Sequence, residues 1–237
     1  MRRGYSKTLT VILIIIIIAV IGLLAFLGYN AYTNYRIKKD SQDAVDAFAQ
    51  EVTIDAPEGD GTISSGDGTS NDNNNNNIDT AGDVLTNPTE ESGTTQNSEA
   101  KRKKYKGFYM LGTIEIPKTN VKYPVLEKVT KKSLETSVAV IYPFENPVLN
   151  AKRNVVIVGH NYRNGVFFSN NKKLSKGDKI YITDLDGKRV TYTIYNIFQT
   201  TETDTSFYNR DTNGKREITL STCTDDASAR LIIEARE

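Results

Sequence analysis

The sequence predicts an all-β domain, a small barrel or sandwich, preceded by one transmembrane helix and a disordered linker. Three observations carry that expectation. Residues 9–27 form an apolar run without a charge, residues 53–100 are dominated by Gly, Ser, Thr, Asn and Asp, and from 105 onward short β-rich runs alternate with turn residues. No long amphipathic helix interrupts that last stretch.

Residues 1–7 carry Arg2, Arg3 and Lys7 ahead of the apolar run. A helix rises about 1.5 Å per residue, so roughly 20 such residues cross a hydrocarbon core of about 30 Å. Residues 8–28 therefore read as a transmembrane helix. A cleavable signal would have a shorter apolar region and a small-x-small site, whereas "FLGYNAYTNYR" follows directly, so the anchor is expected to stay. Arg36, Lys38 and Lys39 on the far side blunt the positive-inside rule, but a large downstream domain translocates largely regardless of charge. The expected topology is single-pass in the cell membrane, with the N-terminus cytoplasmic and the domain outside. Residues 29–52 keep helix-compatible spacing through Ala44, Val45, Ala47 and Phe48 and read as a juxtamembrane extension. The stretch 53–100 has too little apolar surface to offset ordering entropy. As a flexible coil it spans roughly 40 Å, a tether that would let the domain work away from the membrane.

Eight runs are predicted as strands: 111–116, 121–125, 138–141, 154–158, 179–183, 189–198, 216–223 and 230–236. "DLDGK" at 184–188 marks a hairpin by its Asp-Gly pair. One domain over 101–237 is large enough to build a core.

The formal net charge of +1 hides an asymmetry: 53–100 holds ten acidic side chains and no Lys or Arg, whereas 101–237 holds 24 basic against 15 acidic, a balance of +9. A solvated basic face is the commoner meaning, and contact with anionic wall polymers the sharper one. No zinc-ligand cysteines and no nucleic-acid-binding motif are present, so no nucleic-acid partner is expected. Cys223 is the chain's single cysteine and His160 its single histidine. An exported domain uses cysteines as bridges, but one cysteine cannot bridge within its own chain. A packed inert thiol, an intermolecular bridge and a functional nucleophile remain.

The neighbours of Cys223 favour the nucleophile. Alternation along "ITLSTC" (218–223) puts Ile218, Leu220 and Thr222 on one face and Thr219, Ser221 and Cys223 on the other. The last run places Leu231, Ile233 and Ala235 inward, with Arg230 facing away. The six residues "TDDASA" between them suit an antiparallel hairpin pairing Cys223 with Arg230. Directly opposed residues share a face, with Cβ atoms about 5 Å apart, and a neighbouring cation favours thiolate, the nucleophilic form. The bland alternative is an arginine that is simply solvated. A proton partner is also needed. His160 follows "NVVIVG", a run that reads as a strand buried on both faces, with Gly159 expected to let the chain turn before the imidazole.

Together, "TLSTC" followed seven positions later by Arg230, with "VVIVGH" about 60 residues upstream, resembles the sortase signature. "LGTIEIPKTNVKYPVLE" (111–127) and "NGVFFSNNKKLSKGDKIYI" (164–182) are similar to other stretches of that family, so the resemblance covers roughly 105–237. It implies an eight-stranded sortase-type β-barrel with short helices. It also implies a cysteine transpeptidase: Cys223 as nucleophile on the threonine carbonyl of an LPxTG-like sorting signal, His160 as general acid and base, and Arg230 stabilising the oxyanion or the substrate backbone. The implied partners are secreted proteins with C-terminal sorting signals, and a peptidoglycan precursor or a pilin lysine as the accepting amine. The anchor and "GHNYRNG" lean toward class B, although the 17 residues between Phe198 and Arg216 are short for that class's helical insertion. Glu202, Asp204 and Asp211 in that segment are the only calcium candidates. A solvated loop is favoured, so no metal and no cofactor are expected.

Two other enzyme readings fit less well. Papain-like and NlpC/P60-type peptidases place the cysteine at a helix start, and the latter use a second histidine. An L,D-transpeptidase would carry an "SHGC"-type motif. The non-enzymatic alternative is a tethered surface-polymer-binding β-domain with Cys223 merely packed, which a thiol reagent on the folded protein distinguishes.

Overall fold

The computed structural model describes residues 2–54 and 103–237, and the linker expected over 53–100 lies outside them from 55 onward. Helix α1 spans Arg2–Ile54. After it come strands β1 (Lys104–Tyr105), β2 (Phe108–Ile116) and β3 (Val121–Leu126), helix α2 (Lys131–Thr136), and β4 (Val138–Tyr142) and β5 (Asn154–Val158). The chain then continues through β6 (Lys179–Asp184), β7 (Arg189–Thr200), β8 (Glu217–Cys223) and β9 (Arg230–Arg236). All eight runs read from the sequence are strands. The two-residue β1 is an addition that pairs only with β2.

The strands follow the order β2-β3-β4-β5-β8-β9-β7-β6, and β6 pairs back to β2, closing an eight-stranded barrel. Two neighbouring pairs are parallel, β3 with β4 and β5 with β8; the rest are antiparallel. The Asp-Gly hairpin forms as read: Asp184 Oδ1 accepts from the backbone N–H groups of Asp186 and Lys188, and Gly187 takes the positive φ that the turn requires. Inward side chains, among them Ile114, Ile157, Ile180, Ile182, Ile218 and Ile233, are fully buried in one cluster.

The long helix behaves as two halves. Its apolar segment contains a stretch long enough to cross a membrane, none of it buried against protein. Beyond it the helix lies on the barrel. Ile37, Ser41, Ala44, Val45 and Phe48 recur at helical spacing; Ser41, Val45 and Phe48 are buried, and Phe48 packs with Tyr105, Met110, Leu126 and Ala139. Ion pairs flank this seam: Lys106 with Asp40 at 2.9 Å, Lys122 with Asp46 at 2.5 Å, and Lys103 with Glu51. The described part of the helix beyond the apolar segment is thus in direct contact with the barrel; the tether expected over 53–100 lies outside the described residues from 55 onward.

Candidate active site

The parallel pairing of β5 with β8 builds the site. Val158 is registered with Ser221, and both strands run toward the same rim, so the residues two positions further on, His160 and Cys223, emerge there side by side. Alternation gives each the same outward sense as its registered neighbour. The rim is pinned by Gly159 N–H donating to Ser221 O at 3.2 Å and by Thr222 Oγ1 donating to Gly159 O at 2.7 Å. Gly159 does not provide a left-handed turn. A Cβ there would stand 2.8 Å from both Phe168 Cδ2 and Val138 Cγ1, so glycine is needed for close approach.

The antiparallel partner of β8 is β9, in the register expected, with Cys223 opposite Arg230. The half-buried thiol accepts a hydrogen bond from Arg230 Nη1. His160, Cys223 and Arg230 line one cavity of about 300 Å³, whose apolar wall includes Val129, Leu134, Ile141, Phe207 and Tyr208. Burial pushes the imidazole below its ordinary pKa; the Glu135 carboxylate opposes that shift and the Arg230 guanidinium adds to it. The Tyr162 ring lies 4.8 Å from the imidazole, centroid to centroid.

Much of this wall is supplied by 201–216, the connection between β7 and β8. It has no helix, unlike the insertion expected of class B. It lies on the outer face of the sheet, so the face of β8 that alternation marks as polar is covered: Thr219 is fully buried and Ser221 nearly so. Arg210 fastens it, standing 2.8 Å from Glu217 Oε2 and 3.0 Å from Glu234 Oε1 and donating to Tyr195 Oη, Asn154 Oδ1 and Thr219 Oγ1. Asn154 Nδ2 donates to the carbonyls of Phe207 and Tyr208. The three acidic residues considered for calcium do not converge. Asp204 accepts from Thr200 and Ser206, Asp211 from Asn213 N–H, and Glu202 stands 4.0 Å from Arg230.

Sequence reasoning missed Asn161. Its amide donates to Cys223 O at 3.0 Å and to Asp225 Oδ1 at 2.9 Å, tying the histidine loop to the cysteine loop. Its place directly after His160 was the only available signal.

Residues 114–237 match the Sortase domain family, which is more than half of the chain. The chain belongs to the sortase family. The sortase A of Bacillus anthracis is 35% identical over 127 residues, 52% of this chain and 58% of that protein. The sortase A of Streptococcus agalactiae serotype III (strain NEM316) is 28% identical over 148 residues, 60% of this chain. This sortase thus spans 58% of the length of each of these curated relatives. Among solved structures, the Clostridium perfringens Sortase D5 transpeptidase is 30% identical over 54% of this chain and 78% of that chain, with a TM-score of 0.48. Corynebacterium diphtheriae sortase A is 28% identical over 55% and 61%, with a TM-score of 0.49.

Proposed function

We propose that this sortase is a membrane-anchored cysteine transpeptidase that cleaves an LPxTG-like sorting signal after its threonine and passes the acyl group to an amine of the cell wall or of a pilin. Its N-terminus is cytoplasmic and its barrel extracellular. The observation that carries the reading is the Cys223 thiol, hydrogen-bonded to Arg230, sharing one apolar-walled cavity with the chain's lone imidazole.

In this reading the Cys223 thiol passes its proton to His160 and the sulfur attacks the threonine carbonyl, and the oxyanion that develops lies within reach of the Arg230 guanidinium, an interaction worth most where charge appears in the transition state. Collapse of the intermediate expels the amine, which takes a proton from His160. The depressed imidazole pKa makes the imidazolium a minor species at neutral pH, poised to give up its proton. In the second half the arriving amine attacks the thioester carbon and His160 accepts the proton. The apolar wall of Val129, Ile141, Phe207 and Tyr208 is the part of the cavity that, closed over by a bound peptide, would favour transfer over hydrolysis.

The test is a panel of fluorogenic sorting peptides given to the detergent-solubilised full chain, with and without amine acceptors. Cys223→Ala is expected to abolish turnover, and Arg230→Ala to cost about 10² to 10³ in rate. Wild-type-like transfer by His160→Ala would overturn the mechanism.

A further inference from the structure

Cys223 borders two cavities. Besides the one shared with His160 and Arg230, a second of about 280 Å³ is lined by Asn161, Phe168, Lys172, Asp225 and Leu231, again with Cys223 on its wall. The two lie on opposite sides of the β8–β9 rim. Phe168 and Leu231 belong to the barrel-interior cluster, whereas Phe207 belongs to the cluster on the outer face. A peptide whose scissile carbonyl sits at the sulfur must extend both ways from it. If the acyl side occupies the apolar outer cavity, the departing amine leaves, and the incoming one arrives, across the rim. The reverse of acylation brings the departed amine back along that path, and an acceptor that follows it arrives on this side of the rim.

The second cavity has the charge for that role. Asp225 Oδ1 accepts from Asn161, the same amide that holds Cys223 O, and Asp225 Oδ2 carries the ammonium of Lys172. These two contacts hold the carboxyl below the usual carboxylate range. The chain thus parks a primary ammonium of its own beside the loop that bears the nucleophile. Both partners are about half exposed, and exposed ion pairs contribute little to stability, so one ammonium exchanges for another at small cost.

We propose that this cavity is the acceptor subsite and takes a primary alkyl ammonium, with Asp225 as its counter-ion and Lys172 as an internal occupant that the acceptor displaces. The inference rests on the transpeptidase reading above. The bound ammonium first releases one proton to solvent. Its lone pair then attacks the thioester carbon, the C–N bond forms as the C–S bond breaks, the sulfur takes the bonding pair, and the second proton passes to His160.

The experiment compares Nα-acetyl-lysine amide, charged at neutral pH, with hydroxylamine, which is mostly neutral there, as acceptors for the thioacyl enzyme made by the full chain. Asp225→Asn keeps an acceptor for Asn161 and is expected to lower the ratio of lysine transfer to hydrolysis about tenfold, through the KM of the amine, with the hydroxylamine ratio unmoved. Lys172→Met is expected to raise the lysine ratio. Equal losses with both acceptors in Asp225→Asn, or no change in either variant, would overturn the subsite. A wild-type chain that releases no fragment from any sorting peptide would instead overturn the transpeptidase reading beneath it.

Discussion

The barrel interior and the layer on its outer face are built by opposite rules. Inside, buried aliphatic and aromatic side chains meet in one cluster. Outside, over β5, β8 and β9, the segment 201–216 covers an interface in which Phe207 and Ile232 sit beside two buried carboxylates, Glu217 and Glu234, held by one guanidinium. The interior tolerates a missing methylene at the cost of a cavity. In the outer layer one guanidinium, that of Arg210, is shared by two buried carboxylates, and it also fastens the loop that walls the candidate active site.

The largest expected effect follows from that asymmetry. Arg210→Ala leaves the buried Glu217 and Glu234 with only the neutral donors Tyr195 Oη and Asn196 Nδ2, and breaking a buried pair from one side costs up to about 3–5 kcal/mol. Chemical denaturation should register that loss, and the KM for the sorting peptide should rise as Phe207 and Tyr208 come away from the sheet. Stability and KM unchanged in this variant would mean that the outer layer is decoration. The interior control is Ile182→Ala on β6, fully buried and away from the rim. It should lose about 3 kcal/mol while the folded enzyme keeps its KM. A KM that rises as much as in Arg210→Ala would erase the distinction between the two regions.

The same contrast decides what the sequence makes legible. Each interior strand announces itself through its own alternation, so all eight runs can be read, as can the register that puts Cys223 opposite Arg230 across a six-residue loop. The outer layer gives no such signal. Thr219, Ser221, Ile232 and Glu234 fall on the face that alternation assigns to solvent, and they are buried only because a segment without periodicity folds back over them. Arg210 lies 56 residues from Asn154, one of its partners, a contact no local pattern encodes. The docking of α1 is a similar case. Ile37, Ser41, Val45 and Phe48 make a recognisable stripe, but the stripe does not say that β3 and the β1–β2 hairpin lie beneath it. At the site, Gly159 was legible as special and misread in kind, because the side chains that crowd it, Phe168 and Val138, come from elsewhere in the chain.

The smallest effect we expect concerns the imidazole, where the sign can be worked out before any measurement. Burial disfavours the charged form, the Arg230 cation disfavours it further, and the Glu135 carboxylate alone among the three favours it. Glu135 is placed by α2, whose start is fixed by the reciprocal hydrogen bonds of Thr130 and Ser133. Glu135→Gln removes the one stabilising charge, so the pKa of His160 should fall further. Since His160 is the only histidine in the chain, its imidazole C–H resonance can be followed by NMR without assignment. The shift should shrink as salt is added, because Glu135 is exposed and acts through solvent. If transfer needs the imidazolium, the variant should be slower at neutral pH and should approach wild type as the pH drops below the histidine pKa, where both are protonated. A pKa that rises in Glu135→Gln would mean that a different group governs the imidazole, and the outer face would then hold a charge that its visible carboxylates and guanidinium do not explain.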